Sequence, residues 1–155
     1  MSYQIRIEQF PGHNIAVVKR SATPSRVSKV ITDACGLVWN AIKAEGIKGA
    51  GRHVAVYYEQ FLKMEIGVEM ESPIEAIGEV ASSMLPAGDV ATTTHFGPYQ
   101  QLGEAHDAIH AWCRANGRVP APPCWEIYGH WLDDWNNDPR KIRTDVYYLL
   151  KSLNG

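Results

Sequence analysis

The sequence has no excess of basic residues, few cysteines and no long apolar run, and each absence removes a class of function. Its 15 lysines and arginines face 17 aspartates and glutamates, for a formal net charge of −2. A nucleic-acid binder usually carries a basic stripe to meet phosphates. The densest basic stretch is Arg140, Lys141 and Arg143, beside Asp133, Asp134 and Asp138, and it reads as a solvated loop. No apolar run approaches the roughly 18 residues a membrane span requires. No signal peptide is read ahead of the first strand-like residues. The expectation is a cytoplasmic protein that touches neither a membrane nor, directly, nucleic acid. Cys35, Cys113 and Cys124 cannot all pair with one another and show no CxxC spacing, so reduced buried thiols are expected. There is no P-loop, no GxGxxG and no GxSxG nucleophile elbow. His106 and His110 are spaced for a metal on one helix, but no further ligand arrives at matching spacing. They read as a surface pair, and no metal or cofactor is expected.

What is present fits one domain spanning 1–155. The chain is 45% hydrophobic and 21% charged, an ordinary globular balance. Its clearest signal is an internal duplication, with repeats over about 1–72 and 73–155. Each half reads strand, turn, strand, helix and two more strands. In the first half, Tyr3, Ile5 and Ile7 alternate with polar residues, Phe10 to Asn14 reads as a turn, and Ile15 to Lys19 as a strand. Thr23 and Pro24 read as a helix start. Val27, Val30, Ile31, Ala34, Val38 and Ile42 recur at helical spacing, and Gly46 stops the helix. His53 to Tyr58 and Met64 to Met70 follow as strands. In the second half, Pro86-Ala87-Gly88 is the turn between strands Glu79 to Leu85 and Asp89 to His95. The helix runs from about Tyr99 to Asn116 and Gly117 ends it. Cys124 to Trp131 and Thr144 to Leu150 are the last strands. Gly46 precedes Tyr58 by twelve residues and Gly117 precedes Tyr128 by eleven, so Tyr58 is matched to Tyr128. The fold class is α+β: duplicated βαββ units about a pseudo-two-fold axis, antiparallel sheets, one long helix per repeat, and a groove between repeats. Such junctions favour small-molecule pockets.

Chemistry concentrates in Cys124-Trp125-Glu126-Ile127-Tyr128. Side chains alternate across a strand, so Glu126 and Tyr128 share one face and Trp125 and Ile127 the other, the latter expected against the helix. A carboxylate in an apolar strand needs a partner, a shifted pKa or a wet face. It can balance a cationic ligand, or act as a general acid if its pKa is raised. Tyr58, Tyr128 and Tyr147, with Tyr99 at a helix start, are the candidate walls, since phenol rings combine flat contact with cation–π attraction. His95, at a strand end, reads as a structural group.

The runs Leu85-Pro86-Ala87-Gly88, His95-Phe96-Gly97-Pro98-Tyr99, Trp125-Glu126-Ile127-Tyr128 and Thr144-Asp145-Val146-Tyr147 resemble the GyrI-like small-molecule-binding domain, also the effector-binding module of AraC-type and MerR-type regulators. The resemblance implies the groove between repeats and a ligand-facing Glu126. It implies a ligand that is bulky, aromatic and cationic. It leaves open a hydrolase of reactive natural products such as cyclopropanoids, with Glu126 as acid or base, and a DNA gyrase modulator acting by protein contact. No helix-turn-helix segment is read beside the domain, so a DNA-reading partner would have to be separate. Val56 stands where the first repeat would hold a second acid. Exposed strand edges leave homodimer pairing open.

Overall fold

The computed structural model describes residues 2–153. Six strands, β1 (Arg6–Arg20), β2 (Ala50–Glu59), β3 (Lys63–Met70), β4 (Ala81–Phe96), β5 (Pro120–Tyr128) and β6 (Arg143–Leu150), are joined in order β1-β3-β2-β5-β6-β4 and close into an antiparallel barrel. Helices α1 (Val27–Ala44) and α2 (Leu102–Ala115) and a short α3 (Asp134–Asn137) complete the chain. The order strand, long helix, strand, strand therefore occurs twice.

The two expected turns are not turns. β1 runs through Pro11-Gly12 and β4 through Pro86-Ala87-Gly88, and the strands pair with each other across this region, with Phe10 opposite Gly88 and Pro11 opposite Ala87. Gly12 has φ +82° and Gly88 φ +146°, so the chain bends without ending the strand. The bend lets β1 hold β4 along much of its length and β3 at its end, from Ile15 to Arg20. Closure leaves no free sheet edge of the kind through which the sequence left dimer pairing open.

Both helix stops are where glycine places them. Gly46 and Gly117 each have φ +66°, and the following amides of Ile47 and Arg118 return to the carbonyls of Ile42 and Cys113. Thr23 does not cap α1. Its hydroxyl meets Ser25, its carbonyl accepts from Arg26 in a turn, and the helix begins at Val27.

The core is split by the barrel wall. Ile15, Val17, Val54, Val56, Leu85, Val90, Trp125 and Ile127 fill the interior. Outside, α1 lays Ala34, Val38 and Ile42 over β1, β3 and β2, while α2 lays Leu102, Ala105, Ile109 and Cys113 over β4 and β6. Trp125 and Ile127 thus face the barrel axis and not a helix, contrary to the sequence expectation. The reason is closure: a barrel makes an apolar interior that no helix touches. Glu126 and Tyr128 consequently lie on the helix side of the wall. The basic run is neutralised locally, Arg140 by Asp138 at 2.9 Å, Lys141 by Asp134 at 3.5 Å and Arg143 by Asp145 at 3.3 Å. No helix of the described residues is long and apolar enough to cross a membrane.

Candidate functional site

Both helices lie on the outer face of the barrel, α1 over β1, β3 and part of β2 and α2 over β4 and β6, and they leave a gap between them over the rest of β2 and β5. That gap is a cleft of about 1120 Å³. Val27, Ile31, Cys35 and Trp39 of α1 form one wall, and Leu102, His106 and His110 of α2 form the other. Its floor is Tyr57 of β2, Cys124, Glu126 and Tyr128 of β5, and Tyr148 of β6. Phe61, Tyr99 and Trp131 also line it.

Antiparallel pairing sets which residues reach this floor. Ala55 lies opposite Glu126, and Tyr57 opposite Cys124. Tyr57, two residues from Ala55, therefore shares the face of Glu126 and Tyr128. Tyr58 and Val56 point the other way, with Val56 buried in the barrel and Tyr58 packed on its interior. Tyr58, which the sequence pairs with Tyr128, therefore does not share its face, whereas its neighbour Tyr57 does, since one residue along a strand exchanges the faces.

Glu126 is 5% exposed and has a partner for each oxygen. Oε1 accepts from the phenols of Tyr57 at 2.9 Å and Tyr128 at 2.5 Å. Oε2 meets His106 Nε2 at 2.7 Å, and the other nitrogen of that ring, Nδ1, meets the Tyr148 hydroxyl at 2.6 Å. An ionised carboxylate only accepts, so Nε2 carries the proton. Burial pushes the Glu126 carboxyl up, but the His106 hydrogen bond and charge, with the two phenols, outweigh it and hold it below the ordinary 4.5. That direction is opposite to what a general acid needs. Burial and then the Glu126 charge raise both Tyr57 and Tyr128 well above 10.0, so both phenols stay protonated donors.

The other sequence candidates divide. Tyr99 stands at the rim, 41% exposed, with its ring edge-on to Tyr128 at 5.6 Å. Tyr58 borders the cleft, but its ring faces the barrel interior and its hydroxyl donates to Glu65 at 3.1 Å. Tyr147 does not line the cleft: it stacks on Trp125 at 5.5 Å and packs against the interior cluster. His95 is fully buried between the Tyr3 hydroxyl at 2.8 Å and the Pro98 carbonyl at 3.2 Å, a structural pair of bonds. Sequence reasoning missed Tyr57, Tyr148 and His106. A signal for His106 existed, since it lies four residues from Leu102, three from Ile109 and seven from Cys113, inside the apolar stripe. No group of three or more potential metal ligands occurs among the described residues.

A family model, the GyrI-like small molecule binding domain, matches residues 3–151. The chain belongs to the GyrI-like family. No curated protein matches it by sequence. In fold, this GyrI-like chain is similar to the C-terminal domain of EcmrR, at 20% identity and a TM-score of 0.77, over 99% of this chain and 100% of that one. It is also similar to SAV2435, solved bound to tetraphenylphosphonium, at 14% identity and a TM-score of 0.57, over 99% and 96%. A hydrolase from Listeria innocua aligns at 11% identity and a TM-score of 0.62, over 96% and 92%. Identities this low carry the fold alone.

Proposed function

We propose that this GyrI-like chain binds bulky aromatic monocations in the cleft, with Glu126 as counter-charge. One observation carries the reading. The carboxylates lining the cleft are Glu126 and Asp107, and no lysine or arginine lines it among the described residues. The potential cation beside Glu126 is the His106 ring, and while that ring is neutral the buried carboxylate leaves a negative potential in a low-dielectric hollow. Tyr57, Tyr128, Tyr99, Trp39, Phe61 and Trp131 supply ring surface around it, which suits a flat or propeller-shaped cation. The ligand seen on SAV2435, tetraphenylphosphonium, is of this chemistry. An ionised Glu126 lacks the proton a general acid donates, so the reading of holding a cation is favoured over acid-catalysed ring opening.

The site also supports the duplication as an interpretation. We read 1–72 and 73–155 as repeats related by a pseudo-two-fold axis. Tyr57 and Tyr128, one from each, then converge on a single carboxylate at the junction.

Tetraphenylphosphonium and tetraphenylborate have nearly one shape and opposite charge. Calorimetric titration should find the phosphonium bound at least about 30-fold more tightly, the equivalent of a desolvated cation–π and charge contribution of ~2 kcal/mol. Equal affinity, or preference for the borate, would remove Glu126 as counter-charge.

A further inference from the structure

The cleft holds its own potential cation in the His106 imidazole. It lies 2.7 Å from the Glu126 carboxylate, and its side chain is 20% exposed, so solvent protons can reach it. We infer that His106 is the specificity-determining residue of the cleft: neutral, it leaves Glu126 free to attract a cation, and protonated, it cancels Glu126 in place and turns the cleft over to neutral aromatic ligands. The inference rests on the cation-binding reading above and adds what selects between ligand charges.

The proton's path is set by the bonds already present. In the neutral ring, Nε2–H donates to Glu126 and Nδ1 accepts from the Tyr148 hydroxyl. A proton from bulk water enters at Nδ1. The Tyr148 oxygen then accepts from Nδ1–H, and its own hydrogen turns away from the ring toward Cys124. No bond to carbon changes and Glu126 keeps both phenols. The imidazolium and the carboxylate form a closed ion pair, so an incoming phosphonium meets a neutral floor with a like charge beside it.

The neighbours of His106 leave this role to it. Besides Glu126, the floor presents Tyr57, Tyr128, Tyr148 and Cys124, whose protonated forms are all favoured by burial. Glu126 keeps three donors, Tyr57, Tyr128 and His106 Nε2–H, in either state of the ring, and these favour its ionised form. On its own helix His106 has His110 and Asp107, Tyr99 lies in the turn that leads into that helix, and across the cleft stands Cys35 of α1. His53 and His130 line the wall without a hydrogen bond to Glu126, and His110 packs at a steep angle on Tyr148, beside His106, Asp107 and Arg114.

The test follows tetraphenylphosphonium and the neutral triphenylphosphine oxide by calorimetry at pH 8 and pH 5. In the wild type, phosphonium affinity should fall at least about tenfold toward pH 5 while the oxide holds or gains. His106→Gln keeps a neutral N–H donor that can never carry the charge, and it should reduce the phosphonium's pH effect to less than about twofold. His110→Gln and His130→Gln should retain the wild-type slope. One measurement needs no variant: near pH 6, phosphonium binding in buffers of different ionisation enthalpy should release protons, and oxide binding should not. A wild type indifferent to pH, a His106→Gln variant with the full slope, or binding without proton release would overturn the inference. In that case phosphonium binding that is still weakened by Glu126→Gln leaves the cation reading standing. Absence of phosphonium binding at every pH would remove both.

Discussion

Glu126→Gln should weaken tetraphenylphosphonium binding about 30- to 100-fold while leaving the protein folded. Glutamine matches the carboxylate in size, its oxygen still accepts from Tyr57 and Tyr128, and its amide N–H can donate to His106 Nε2 once the neutral ring carries its proton on Nδ1 instead. What disappears is the charge. The same variant has a second readout, in acid. A carboxyl held below 4.5 in the folded state contributes stability that is present above its unfolded pKa and lost as pH falls through the folded one. Glutamine cannot titrate, so melting temperature against pH should show a shallower loss below about pH 4.5 in the variant than in the wild type. Parallel curves, or unchanged phosphonium affinity at neutral pH, would count against the charge assigned to Glu126.

Gly67→Ala should prevent the barrel from forming. Gly67 is buried in β3, paired with Val17 on one side and Val54 on the other. A Cβ there would stand 1.8 Å from the Ala16 carbonyl oxygen, 2.8 Å from its carbon and 2.9 Å from Val17 Cα. All three are backbone atoms, so no side chain can rotate aside. Relief requires moving β1 away from β3, which opens the barrel wall under α1. A loss exceeding about 4 kcal/mol is expected, a large part of a typical domain's stability. Soluble yield and urea denaturation check it, and a variant within about 1 kcal/mol of the wild type would show that the two strands can separate locally.

The contrast between these two positions shows what a sequence reveals here. Glu126 was legible because a carboxylate in an apolar strand is a local anomaly, and alternation gave its companion Tyr128. Gly46 and Gly117 were legible for the same reason, since a left-handed stop is a property of the residue itself. Pro11-Gly12 was misread because a kinked strand and a turn share one local signature. Only the distant partner, Pro11 opposite Ala87, decides between them. Trp125 and Ile127 were grouped correctly but assigned to the wrong side, since alternation says which residues share a face and never what covers it. Tyr57 and Tyr58 are adjacent tyrosines, and the choice between them turns on the register with β5, set by long-range pairing. The apolar stripe marks His106 as inward-facing, but that its ring meets Glu126 needed a three-dimensional fact, that α2 packs on β4 and β6, beside β5.

The most direct measurement is a crystal structure with tetraphenylarsonium, whose arsenic can be placed by anomalous scattering. The account predicts an arsenic peak between α1 and α2, over the floor of Tyr57, Glu126 and Tyr128, with phenyl rings against Trp39 and Tyr99. A peak on the outer surface with the cleft empty, or one positioned away from Glu126 toward Asp107 alone, would contradict it.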